Sequence, residues 1–171
     1  MALKIAFLDI DGCLNSGRSV LARVGVSDTD DFYEKEAIET IDPIAVGLVN
    51  RLCRKGDVKL VISSTHRCRY DHDFSELGDY IRQLGIKGQV ISVTPLMNMT
   101  RGTEVEAWLA SSRHNVSEWI IIDDGRDFFK DQLPRLVACD PSVGFSEKNY
   151  FDACQLLNIS ESTLILPEGT V

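Results

Sequence analysis

No apolar run in this 171-residue chain approaches the ~20 residues that a bilayer-spanning helix needs. The opening stretch MALKIAFLDI lacks the longer apolar core and small-residue cleavage site of a secretory signal. Cysteine is sparse and unpaired in pattern. Cys13, Cys53, Cys68, Cys139 and Cys154 are odd in number, and no two stand in CxxC spacing. Zinc knuckles and disulfide frameworks are therefore disfavoured, and a reducing cytoplasm is the expected compartment. Basic charge is in deficit: 18 Lys and Arg face 26 Asp and Glu, giving a formal net charge of −8. Such a surface disfavours membrane partners and extended nucleic-acid binding, yet leaves room for a local basic group that captures one phosphate. There is no repeat, linker or low-complexity segment. With 44% hydrophobic and 26% charged residues, the composition predicts one globular domain over 1–171 with a full core.

What is present is an alternation. The apolar runs LKIAFL (3–8), VKLVIS (58–63), QVISV (89–93), WIII (119–122) and RLVAC (135–139) have strand length and are rich in Val and Ile, as buried parallel strands are. Helical stretches fall between them. DPIAVGLVNRLCRKG starts with Asp42 as N-cap and Pro43 at the first helical position, and stops at Gly56. DFSELGDYIRQLG sets Phe74, Leu77, Ile81 and Leu84 on one stripe, ending at Gly85. TEVEAWLASSR has Thr103 and Glu106 in capping-box spacing, and SEKNYFDACQLLN follows Ser146 as a cap. Strand–helix alternation implies an α/β fold with a parallel sheet and helices on both faces.

Folds of this kind place their chemistry beyond the carboxyl ends of the strands, so the residues that follow each run carry the information. Asp9 and Asp11 follow the first run, Ser63, Ser64 and Thr65 the second, and Asp123 and Asp124 the fourth, with Asp127 close behind. Carboxylates gathered in one crevice repel each other unless they bind protons or a cation. An all-oxygen donor set selects a hard cation, and Mg²⁺ is the usual one where phosphate is handled. An EF-hand-like calcium loop fits poorly: Gly12 comes too early, Val20 stands where Glu is required, and a strand precedes the motif.

These motifs resemble the haloacid dehalogenase (HAD) superfamily. DIDGCLN (9–15) is similar to its first signature, DxDG[TV]L[NT], with Cys13 where Thr or Val is usual. Ser63 after VKLVI is similar to the second motif, and IIIDD, ending in Asp123 and Asp124, to the fourth. SSTHR, Thr94–Pro95, RGTEVEAWL and GFSEKN extend the likeness to a compact branch found in RNA-repair and phage proteins. The resemblance implies a Rossmann-like three-layer sandwich and a Mg²⁺-dependent phosphomonoesterase. Asp9 is then the nucleophile that becomes an aspartyl-phosphate, and Asp11 the general acid and base. Gly12, Ser63, Ser64 and Arg101 bind the phosphate, while Asp9, Asp11 through its backbone carbonyl, Asp123 and Asp124 hold the metal. Arg101 is the candidate for the basic third motif, with Lys87 as the alternative. The implied substrate is a nucleotide, a polynucleotide end or another phosphomonoester. Asp11 separates phosphatases from dehalogenases, since a departing halide needs no proton.

STHRCRYDHD (64–73) crowds His66, Cys68 and His72, but the spacing is not one that zinc sites rely on, and His66 and Arg67 are expected on the crevice rim. Trp108 and Trp119 are expected in the core. The acidic run SDTDDFYEKE (27–36) reads as a solvated loop or helix start, and 17–40 is too short for an independent cap domain. A small or absent cap follows. A receiver-like phospho-acceptor and a non-catalytic module of the same fold are the competing classes. In a receiver, the phosphorylated Asp follows the third strand, where this chain has SVTP.

Overall fold

The computed structural model describes residues 2–24, 40–70 and 74–161. The acidic run 27–36 and His72 lie outside the described residues. Five strands form one parallel sheet: β1 (Leu3–Leu8), β2 (Val58–Ile62), β3 (Val90–Val93), β4 (Val116–Asp123) and β5 (Leu136–Ala138), in the order β3-β2-β1-β4-β5. The helices are α1 (Gly17–Val24), α2 (Pro43–Gly56), α3 (Phe74–Gln83), α4 (Arg101–Ser111) and α5 (Glu147–Leu156). A 3-10 turn spans Thr65–Tyr70.

The period-2 geometry of strands sorts the core onto two faces. Ala6, Leu8, Leu60, Ile62, Ile120 and Ile122 point to one, where α2, α3 and α5 contribute Leu52, Ile81 and Tyr150. Ile5, Phe7, Val61 and Ile121 point to the other, against Val105 and Trp108 of α4. The result is a three-layer sandwich, with an apolar cluster against each face of the sheet. Phe7 meets Trp108 and Trp119 edge-on at 5.3 and 6.0 Å between ring centroids, the preferred aromatic arrangement. Trp119 is only partly buried, and Arg135 lies 4.6 Å over its ring.

Local signals set the helix ends. Asp42 caps α2 by accepting from Ile44 N at 2.8 Å, and Asp57, in the left-handed region at φ 50, closes its far end. Ser146 and Asn149 form a reciprocal capping box on α5. For α4 the sequence-based start at Thr103 needs correcting. Thr100 is the N-cap and accepts from Thr103 N, so the helix opens with Arg101 in its first turn. β4 is also longer than the run 119–122, because Val116–Glu118 pair with β1 despite their mixed polarity.

Candidate active site

Backbone pairing continues one step past the strand ends and lines up a row of residues. Thr94 N donates to Ile62 O, Ser63 N to Leu8 O, Asp9 N to Ile122 O and Cys139 N to Asp123 O, all between 2.9 and 3.0 Å. The side chains of Thr94, Ser63, Asp9 and Asp123 thus emerge side by side at the carboxyl edge, each at most 3% exposed. Neighbouring strands therefore bring together residues far apart in the chain.

Asp9 is held from both sides. Its Oδ1 accepts from Ile10 N at 2.8 Å, and its Oδ2 lies 3.2 Å from an Arg101 terminal nitrogen. The other terminal nitrogen of Arg101 donates to Ser63 O at 2.8 Å and to Asp123 Oδ2 at 3.2 Å. Starting α4 at Arg101 is what puts the guanidinium here, and Asp127 fixes that start by accepting from Arg101 N at 3.0 Å. Lys87 is exposed at the opposite, amino edge, where its backbone N donates to Asn50 Oδ1. Of the two candidates for the basic group, only Arg101 reaches the carboxylates.

Asp9, Asp123 and Asp124 each offer an oxygen, and these atoms lie within 4.8 Å of one another. Burial, then the charge of Asp9, pushes the Asp123 carboxyl up to about 7, and burial raises Asp124 as well. Three acids beside one guanidinium leave a deficit of two positive charges. That deficit and the all-oxygen set fit a hard dication such as Mg²⁺. Ser63 Oγ is buried without a hydrogen-bond partner, as is Thr94 Oγ1, so a donor stands ready beside Arg101. Gly12 adopts φ +70, and a Cβ there would lie 2.3 Å from Asp124 Oδ2, so only glycine lets the first loop pass the second acidic pair.

The Asp11 side chain is not one of these three clustered acids. It is exposed, its Oδ1 accepts from Asn15 Nδ2 at 2.9 Å, and its Oδ2 lies 3.0 Å from His66 Nε2. That His66 bond, more than any other influence, holds the Asp11 carboxyl below the usual carboxylate range. The hydroxyl of Tyr80 is 3.0 Å from His66 Nδ1 and the two rings stack, so the imidazole is fixed from behind.

Three expectations change. His66 and Arg67 are not on the rim; both are buried in the 3-10 turn after β2. Arg67 pairs with buried Glu104 and donates to the carbonyls of Ser63, Ser64 and Thr94. Ser64 is also fully buried, and its hydroxyl accepts from His66 N at 3.4 Å, so it braces the turn instead of facing a substrate. Sequence reasoning missed the His66 contact with Asp11 because 55 positions separate the two residues. It missed the capping role of Asp127 because it counted that residue only as another strand-end acid.

Residues 5–150 match the family model described as the HAD domain in Swiss Army Knife RNA repair proteins. The chain belongs to this family. Comparison with curated proteins and with solved structures returned no match. Membership of the HAD superfamily supports a phosphatase or hydrolase role in general terms, and HAD domains are generally Mg²⁺-dependent. Among the described residues, no helix is long and apolar enough to cross a membrane.

Proposed function

We propose that this HAD domain is a Mg²⁺-dependent phosphomonoesterase that works through an aspartyl-phosphate on Asp9, with nucleotides or polynucleotide ends as substrates. The observation that carries this reading is the gathering of Asp9, Asp123 and Asp124 oxygens within 4.8 Å beside Arg101. Asp9, Asp123 and Asp124 would hold the cation, whose contribution is to offset charge between an anionic nucleophile and an anionic substrate. Arg101 and the unpartnered Ser63 hydroxyl bind phosphoryl oxygens. One Asp9 carboxylate oxygen bonds to phosphorus as the bond to the leaving oxygen breaks, and the protonated form of Asp11, a minor one because His66 lowers its carboxyl, supplies the proton that oxygen needs. Water then attacks the aspartyl-phosphate, its proton passes to Asp11, and Asp9 is released with inorganic phosphate.

The test is acid-quenched mass spectrometry after mixing with an aryl phosphate, with and without Mg²⁺. The expected result is a transient gain of one phosphoryl group, mapped to Asp9, that needs Mg²⁺ and is absent in Asp9→Asn. Turnover that survives chelation overturns the metal assignment, and turnover by Asp9→Asn overturns the covalent route.

A further inference from the structure

Among the described residues, seven large apolar side chains are exposed, and five of them lie in two segments that both contact the start of α4. Leu96, Met97 and Met99 precede Arg101 in the loop after β3, and Phe129 and Leu133 follow the acidic pair of β4. The first turn of α4 brings the two segments together. Met97 N donates to Glu104 Oε1 at 3.2 Å, and Gln132 Nε2 donates to Gly102 O at 2.9 Å. A Cβ on Gly102 would lie 3.0 Å from Phe129 N, so the second segment runs directly across the helix start. That same start carries the guanidinium that reaches Asp9.

From this clustering we infer that the apolar rim seats the nucleobase next to the scissile phosphate. The inference rests on the phosphatase reading above. A ligand held here must carry a phosphate for Arg101 and an apolar face for its neighbours at once. Thioethers and an aromatic ring suit a flat π-system: sulfur and ring faces both attract one, whatever the identity of the base. Phe129 is 39% and Met99 63% exposed, which leaves contact area to gain. The charge of −8 opposes a long polyanion, so the fit is to one terminal, unpaired nucleotide and not to an extended strand. Base-specific hydrogen bonding is not part of the proposal.

The test compares kcat/KM for a nucleoside monophosphate and for ribose phosphate of the same linkage. A second arm uses a short phosphorylated oligonucleotide with either a normal or an abasic terminal residue. Wild type should favour the base-bearing member on the order of tenfold, as stacking of one base implies. Phe129→Ser and Met99→Ser should shrink that ratio mainly through KM, with Phe129→Leu intermediate. Ile44→Ser, which removes an exposed apolar group elsewhere, should leave the ratio unchanged. A preference in the nucleotide arm alone assigns the rim to free nucleotides, and a preference in both arms to strand ends as well. No preference in wild type, or an equal loss for base-bearing and base-free substrates, overturns the inference while leaving the phosphatase intact. Fluorescence of 2-aminopurine ribonucleoside monophosphate reads the rim without turnover. Binding that weakens in Phe129→Ser supports the rim even if no ester is hydrolysed, and binding indifferent to that change counts against it.

Discussion

Two aspartates two positions apart meet different surroundings, and their chemistry differs accordingly. Asp9 is buried against Arg101, with one oxygen bonded to Ile10 N, so its carboxyl group is held from both sides. Asp11 is exposed and reaches His66 and Asn15, which orient it while leaving it open to a leaving group. Replacing each by Asn separates the roles. On the proposed mechanism Asp11→Asn keeps the nucleophile and removes the proton carrier, so its cost depends on what departs. An alkyl phosphate leaves as a strongly basic alkoxide, and its phosphorylation step should slow by about 10²–10⁴-fold. Nitrophenolate departs unprotonated, so the first step survives while the second, which needs a base to activate water, stalls. Rapid-quench measurements on Asp11→Asn should therefore show a stoichiometric nitrophenolate burst and accumulated phosphoenzyme. Equal slowing of aryl and alkyl phosphorylation would remove Asp11 from proton transfer.

The elements between the strands do more positioning than their sequences announce. The strands and α2 and α5 were legible because apolar runs and the caps Asp42 and Ser146 are local signals. The start of α4 was not, since Thr100 and Thr103 are both good caps and only tertiary contacts from Asp127 choose between them. Nor was the 3-10 turn, whose THRCRY sequence looks like solvent-facing surface. Its Arg67 is instead a strut: it ties the ends of β2 and β3 to Glu104 of α4 and touches the same Ser63 carbonyl that Arg101 uses. Both partners are nearly excluded from solvent, at 5% and 6% exposure, so neither can be left alone. Arg67→Met should strand a buried carboxylate and cost about 3–5 kcal/mol in urea denaturation. Arg67→Met with Glu104→Gln should recover much of that loss, because an uncharged pair carries no uncompensated charge. If the double variant is no more stable than the single one, the strut acts through its carbonyl contacts and not through the ion pair.

At the scale of the whole molecule, the sheet order decides what the carboxyl edge becomes. Placing β1 between β2 and β4 sets Asp9 beside both Ser63 and Asp123, and no run of residues read alone reveals that order. The fold thereby assembles acids that oppose one another, and stability should register the conflict. Asp123 is 1% exposed, and burial followed by the charge of Asp9 moves its carboxyl up to about 7. A carboxyl raised in the folded state keeps its proton where the unfolded chain has lost it, so its contribution is intact below the ordinary carboxylate value. It is lost as pH rises through about 7. At about 1.4 kcal/mol per pH unit, the cation-free fold loses on the order of 4 kcal/mol across that window. The proposed dication would reverse the trend, because binding to the deprotonated acids would stabilise the folded state by mass action. Thermal melts at pH 5.5 and pH 8 should therefore show a larger Mg²⁺-induced rise in Tm at pH 8. Asp123→Asn should flatten the pH dependence without Mg²⁺ and remove most of the Mg²⁺ response. A Mg²⁺ shift equal at both pH values, or one that persists in Asp123→Asn, would place the ion away from this carboxylate.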